Sequence, residues 1–172
     1  PEIRRQNSIV KKERAMVRLL TQKYPQLEIQ QLTASELEVF EYLTKKYQLN
    51  RLENTSAKDT LAQLLVRVDT IPEKLILVQA ANESGWGTSR FARQGYNFFG
   101  LWCFKQGCGF VPRQRDDEAQ HEVAKFTDLS HAVMTYIRNL NRLAAYQELR
   151  KIRLQLRKNE QTVTAKALSK GL

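Results

Sequence analysis

Glycine and aromatic residues are concentrated in one segment of this chain, residues 85–110. The segment holds six of the seven glycines and eight of the fifteen residues that are Trp, Tyr or Phe. A stretch so rich in aromatic side chains is too apolar to be a linker, so we predict an ordered loop region.

Apolar residues recur at helical spacing before and after that segment, which predicts a mostly helical chain. Thr33 and Glu36 stand at the spacing of a capping box, so one helix is predicted to begin at Thr33. The predicted helices cover residues 8–24, 33–48, 57–68 and about 70–84, then two stretches after Ser130 and a weaker one over 161–172.

A β-hairpin is predicted from residues 109–115 and 121–126, where strand-forming residues flank an acidic, polar turn. Two strands alone are only marginally stable, so the hairpin is expected to lean on the helices. The predicted fold class is therefore α+β and mostly helical.

A carboxylate ends the most apolar of these helices. The helix begins near Thr70, with Pro72 in its first turn, and its apolar residues leave little polar face, so we predict a central, buried helix. Gly85 can adopt the left-handed conformation that ends a helix, which places Glu83 in the last turn. Burial and the helix dipole are both predicted to favour the protonated form of Glu83, the form that a general acid needs. The alternative is a solvated glutamate with no catalytic role.

The aromatic residues that follow Glu83 suggest what such an acid would act on. Sugars bind in concave clefts on aromatic faces, with a few polar groups to orient them. Some of these rings are expected to pack in the core, but their position beside Glu83 favours a glycan-binding cleft.

The charge of the chain favours an anionic partner, since 28 Lys and Arg stand against 18 Asp and Glu for a net charge of +10. Nucleic acid, an anionic membrane and the acidic bacterial cell wall all fit; the alternative is that the basic residues form solvated helix faces. No nucleic-acid partner is predicted, because the chain has no zinc-finger pattern and its basic residues are not interleaved with stacking aromatics. The longest apolar run, Leu75 to Val78, is too short to span a membrane.

The two cysteines, Cys103 and Cys108, flank a short loop that contains glycine. Two cysteines by themselves are too few ligands for a zinc site, and His121 and His131 are the only histidines in the sequence, so we predict no metal or cofactor. A small disulfide fits better and implies an oxidising compartment; two free thiols are the alternative. Because the chain opens on Pro1 and not on methionine, we predict a processed or trimmed fragment.

Two motifs resemble the glucosaminidase family of bacterial cell-wall hydrolases. Its members carry a Gln-Ala-Ala-x-Glu-Ser-Gly-Trp-Gly run and then an Asn-x-Phe-Gly motif, matched here by QAANESGWG at 79–87 and NFFG at 97–100. WCFKQGCGFVP and HEVAKF further resemble the Bax-type subgroup, which is related to the flagellar peptidoglycan hydrolase. The resemblance covers about residues 60–155.

This resemblance implies a lysozyme-like bundle that holds Glu83 at the floor of a cleft, with the hairpin as a small lobe. It implies an endo-β-N-acetylglucosaminidase that cuts β-1,4 bonds of the peptidoglycan glycan strand, with Glu83 as general acid. We expect a monomer in the periplasm or cell envelope, formed by a single domain 1–172 in which residues 1–60 are a helical extension packing on a core of 61–172. The residues expected to bind substrate are Trp86, Tyr96, Asn97, Phe99, Gly100 and Trp102.

The chain departs from the family pattern in two places. Many members carry a second glutamate on the first strand of the hairpin, but residues 109–115 contain no acid. Glu118 and Glu122 are the nearest acids, and Glu122 is the candidate second catalytic residue; its alternative is an ordinary strand residue. The family also has a tyrosine motif in a C-terminal helix, and the chain ends at Leu172 before any match, which leaves Tyr96 as the tyrosine nearest the motif.

Two rival functions remain open at this level. A lytic transglycosylase also uses a single glutamate in this fold and would act on the same polymer. A non-catalytic glycan-binding module would keep the aromatic residues and the basic charge without needing Glu83.

Overall fold

A computed structural model describes residues 1–49, 55–113 and 120–172. It is mostly helical with a small antiparallel sheet, so the predicted α+β class is confirmed. Within the described residues, none of the helices is both long and apolar enough to cross a membrane. The elements are α1 Glu2–Lys23, α2 Ala34–Lys46, α3 Ala57–Arg67, α4 Glu73–Glu83, α5 Arg90–Gly95, β1 Trp102–Cys103, β2 Gly109–Phe110, β3 Glu122–Ala124, α6 Leu129–Arg142, α7 Gln147–Lys158 and α8 Ala165–Leu168.

The local signals in the sequence place most helix boundaries correctly. The capping box is formed as predicted: the Glu36 N–H donates to Thr33 Oγ1 at 3.3 Å, and the Thr33 N–H donates to Glu36 Oε2 at 2.9 Å. Helix α1 begins at Glu2, earlier than the predicted residue 8, and the weak C-terminal helix is confined to α8 and a 3₁₀ turn through Gly171.

The core lies between α1, α3 and α6, which pack against one another. Helix α1 buries Val10, Val17 and Leu20, at intervals of three and seven residues that put them on one face. Helix α6 buries Ile137 and Leu140 in the same way. These periodic apolar faces, and not helix propensity alone, stabilise helices of this length in water.

Helix α4 lies at the surface of the bundle, so the prediction that it is the central, buried helix is wrong. Leu75 and Ile76 are buried, but Leu77 is 54% exposed and Val78 is 46% exposed. The apolar side chains of α4 point outward from all of its sides, but only the side that carries Leu75 and Ile76 packs against the core. Helix α6 is the more deeply buried of the two, with Ala132 and Leu140 at 0% exposure and Ile137 at 2%.

The sheet has the strand order β1-β3-β2, with all neighbours antiparallel. The predicted pairing of the two hairpin strands is present, with Phe110 opposite Val123, but both strands are shorter than predicted. Strand β1 was not predicted and pairs on the other edge of β3. Glu118 and most of the predicted turn lie outside the described residues.

The predicted disulfide between Cys103 and Cys108 is present. It links β1 to the loop that leads into β2, so both edge strands are tied together beside β3. Gly109 is required in β2, because a Cβ atom there would collide with the Val123 carbonyl group of β3.

A buried arginine joins α7 to the end of α3. The Arg153 guanidinium, 1% exposed as a side chain, donates to the carbonyl groups of Val66 at 3.0 Å and Arg67 at 3.2 Å and to Asn141 Oδ1 at 2.7 Å. Its Nε atom lies 3.8 Å from the Asp69 carboxylate, which is 3% exposed. This contact network holds the segment that leads into α4 and therefore positions the start of the helix that carries Glu83.

Candidate active site

Glu83 is the last residue of α4, and the turn after it is tightly defined. Gly85 has φ +56°, the left-handed conformation predicted for the residue that ends this helix. Ser84 is 1% exposed; its hydroxyl donates to the Ala80 carbonyl group at 2.5 Å and accepts from the Gly87 N–H at 2.8 Å. The backbone that carries the carboxylate is therefore held in place by its own turn.

The Glu83 side chain is exposed, so the prediction that it is partly buried is wrong. The reason is the surface position of α4, which leaves its last turn open to solvent. Among the described residues, no side chain or backbone N–H donates a hydrogen bond to this carboxylate. Both of its oxygen atoms are thus free to contact a ligand.

Gly100 lies directly beside the carboxylate. A Cβ atom on Gly100 would stand 3.3 Å from Glu83 Oε2, and the residue has φ +61°. A larger residue would be strained there and would crowd the carboxylate. The Asn-x-Phe-Gly motif, named from its resemblance to a family, therefore meets Glu83 in space through its glycine.

The charge of Glu83 acts on two tyrosines, Tyr136 and Tyr146, which the sequence reasoning missed. Burial and then the Glu83 charge raise the pKa of Tyr146. Burial, then Tyr146 and then Glu83 raise the pKa of Tyr136, which lies on the buried face of α6. Both hydroxyls are consequently protonated at neutral pH and can donate a hydrogen bond. Their only sequence signal was an aromatic residue in each of two helical stretches far from the motif.

Phe99 and Asn97 lie beneath the site. Phe99 is 6% exposed and stacks on Tyr136, with ring centroids 4.2 Å apart. Asn97 is 1% exposed; its amide group donates to the carbonyl groups of Leu101 and Ala124, both at 2.9 Å, and accepts from the Leu101 N–H at 3.0 Å. These contacts join the loop that carries Gly100 to the sheet and to α6.

Three other predicted site residues present aromatic rings to solvent. Trp86 is 83% exposed, Trp102 is 50% exposed and Tyr96 is 43% exposed. Trp86 and Tyr96 both have positive φ, at +58° and +51°, which is a costly conformation for residues other than glycine. Trp102 meets the edge of His121, with ring centroids 4.6 Å apart. Of the rings predicted to form one cleft, those of Trp86, Tyr96 and Trp102 are thus exposed, whereas that of Phe99 is buried beneath the site.

Glu122 is buried in β3, below the disulfide loop. It is 4% exposed, and its two carboxylate oxygens accept from the Gly107 N–H at 3.0 Å and the Gly109 N–H at 2.8 Å. These two hydrogen bonds hold the disulfide loop that contains Cys108 against β3.

Comparison with known proteins gives one family and one relative. The family model described as glucosaminidase, mannosyl-glycoprotein endo-beta-N-acetylglucosaminidase, matches residues 58–171. The chain belongs to the glucosaminidase family. The protein bax of Escherichia coli (strain K12) is 40% identical to it over 126 residues, which are 73% of this chain and 44% of the relative. The chain thus spans less than half the length of that protein, and no solved structure matches it significantly.

Membership of the glucosaminidase family covers the whole candidate site. The matched range begins one residue after the start of α3 and includes Glu83, Gly100 and both tyrosines. Helices α1 and α2 precede it. The Bax-type resemblance predicted from the motifs is confirmed by the relative.

Proposed function

We propose that this glucosaminidase-family chain is an endo-β-N-acetylglucosaminidase of the cell envelope that cuts β-1,4 bonds in the glycan strand of peptidoglycan. The observation that supports it best is the position of Glu83: a carboxylate that no described residue pairs with, beside Gly100, whose charge acts on two protonated tyrosines. A catalytic acid needs free oxygen atoms and space for the substrate, and this site offers both.

Glu83 acts as the general acid that protonates the leaving oxygen. A glycan strand bound over the exposed carboxylate excludes water from it, and exclusion of water favours the protonated form of a carboxyl group. Tyr136 and Tyr146 supply hydroxyl donors near the reacting bond. The acetamido group of the substrate assists at the anomeric carbon, a known exception to the use of two carboxylates.

Trp86, Tyr96 and Trp102 bind the sugar rings of the strand through their exposed faces. Asn97 and Phe99 act as positioning residues, since their contacts are with the protein and they carry Gly100. The disulfide suits an oxidising compartment such as the periplasm.

The products formed from purified peptidoglycan test this proposal. Mass spectrometry should find new reducing GlcNAc ends after incubation with the protein. An anhydro-sugar end would identify a lytic transglycosylase instead, a rival that needs only one catalytic glutamate, which Glu83 could supply. Binding of the polymer with no cleavage would identify a glycan-binding module.

Trp86→Ala should weaken retention on insoluble peptidoglycan by about fivefold, because one stacking face contributes roughly 1 kcal/mol. The thermal midpoint should hardly change, since the ring is 83% exposed. Co-sedimentation and thermal melting measure the two effects. Tyr42→Ala is the matched control, an aromatic residue on α2 that is 56% exposed; retention weakened equally by both variants would contradict a specific role for Trp86.

Glu122→Gln should reduce stability more than activity. The amide oxygen can still accept from one of the two N–H groups of Gly107 and Gly109, but the NH₂ that replaces the second oxygen cannot accept from the other. About 1–3 kcal/mol of unfolding free energy should therefore be lost. Activity at a temperature where the variant is folded should change by less than about tenfold. A loss of about 10³-fold would instead make Glu122 a catalytic carboxylate and restore a two-carboxylate mechanism.

A further inference from the structure

A basic groove lies at the end of α4 opposite to Glu83. It has a volume of about 740 Å³ and runs between α1, the segment after α3 and the last turn of α7. Its charged and polar lining residues include Lys11, Arg14, Arg18, Asp69, Thr70 and Arg157.

The cations of this groove outnumber its acids. Among the described residues that line it, Asp69 is the only one with a carboxylate, and Arg157 already binds both of its oxygens, at 2.9 and 3.0 Å. Arg14 lies 3.8 Å from the same carboxylate. Within the described parts of the chain, Lys11 and Arg18 form no ion pair with any carboxylate, and both are exposed. The groove therefore has positive charge that its own residues do not neutralise.

Part of this charge is held in a fixed position. The Arg14 guanidinium donates to the carbonyl groups of Leu65 at 2.7 Å and Val68 at 2.8 Å, at the end of α3. Burial lowers the pKa of Arg14, and although Asp69 raises it, the like charges of Arg157 and Arg18 lower it further. Like charges brought together on a rigid frame are stabilised by an anion that binds between them.

We propose that this groove is a second substrate site, which binds carboxylates of the peptide stems of peptidoglycan. The choice of ligand rests on the function proposed above. Guanidinium groups match carboxylates in geometry and charge, and the groove is concave, which suits a short acidic peptide better than a flat membrane surface.

The distance between the two sites fits one polymer that contacts both. The groove includes Thr70, and cavities beside it reach Pro72, immediately before the first residue of α4. Glu83 is the last of the 11 residues of this helix. At 1.5 Å per residue the helix is about 16 Å long, a short span for a glycan strand with its stems. The groove thus adds affinity for intact cell wall without touching the bond that is cleaved.

The test uses co-sedimentation with the Glu83→Gln protein, so that no substrate is consumed. Adding Lys11→Glu and Arg18→Glu should weaken binding to sacculi with intact peptide stems by about tenfold or more, because two attractions become repulsions. Binding to glycan strands whose stems an amidase has removed should stay the same. Both side chains are exposed and bond to no described residue, so thermal melting should show an unchanged fold.

A matched charge reversal is the control. Lys45→Glu with Lys170→Glu changes the net charge by the same amount at exposed positions outside the groove, and binding should stay within about twofold of the parent. The proposal would be overturned if the groove pair, Lys11→Glu with Arg18→Glu, left binding unchanged. It would also be overturned if the control pair weakened binding as much as the groove pair does. Binding of phosphatidylglycerol vesicles that is lost with the groove pair would assign the groove to a membrane instead. Because co-sedimentation measures binding and not cleavage, the two proposals can fail separately. If no cleavage products were found, the proposed activity would be excluded, but the measured effect of the groove substitutions on binding would still hold.

Discussion

Glu83→Gln should lower the release of reducing ends from peptidoglycan by about 10²–10⁴-fold, the usual contribution of a general acid. The amide has the same shape as the acid but holds no proton that it can transfer. Because Glu83 is exposed and bonds to no described residue, the thermal midpoint should stay unchanged. Reducing-end release and thermal melting of the purified variant give the two measurements.

The control for this variant is Glu38→Gln, the same substitution at an exposed position of α2. It should keep full activity, which ties any loss to position 83 and not to the loss of one negative charge. Wild-type activity in the Glu83→Gln protein would exclude the proposed acid. Retained binding with abolished cleavage would support it, since the substitution leaves the aromatic rings that we propose to bind the sugars unchanged.

Asp69→Asn should lower the free energy of unfolding by about 3–5 kcal/mol at neutral pH, because it leaves Arg153 buried without its charged partner. The amide keeps the size of the side chain, so the effect reports charge and not a cavity. Urea unfolding followed by circular dichroism measures it. Glu73→Gln is the control: it breaks the exposed pair with Arg4, whose side chain is 78% exposed, and should cost less than about 1 kcal/mol.

The same carboxylate gives a pH dependence with a defined sign. Burial would raise the pKa of Asp69, but the Arg157 hydrogen bonds and the charges of Arg153, Arg14 and Arg157 outweigh burial and hold it below the ordinary value of 3.8. The group therefore stabilises the fold fully above that ordinary value, and the stabilisation is lost as the pH falls from there through the lower pKa of the folded state. Asp69→Asn should remove this part of the acid-unfolding curve; an unchanged curve in the variant would contradict the role of the pair.

Local sequence patterns predicted the elements of this protein well. The apolar spacing of α1, α2 and α3 and the capping box at Thr33 indicated those helices, because they depend on residues within one or two turns. The disulfide and the turn at Gly85 were predicted for the same reason. The family motif contained enough local information to single out Glu83.

Contacts between distant residues were not predicted. The charge of Glu83 acts on Tyr136 and Tyr146 only because folding brings residues more than 50 positions apart in the chain towards the same site. Glu122 looked like a possible acid in the sequence, whereas its neighbours in space are the backbone N–H groups of the disulfide loop. Spacing along the chain carries no information about which helices become neighbours.

The sequence by itself determined where the helices, the disulfide and the glutamate at the end of α4 lie, since each depends on interactions over a few residues. Only the tertiary structure decided that α6 is buried and α4 lies at the surface, that Glu83 is exposed, and that basic residues from α1 and α7 share one groove. Burial and charge crowding are properties of packed surfaces, and those surfaces form only when segments distant in the chain come together.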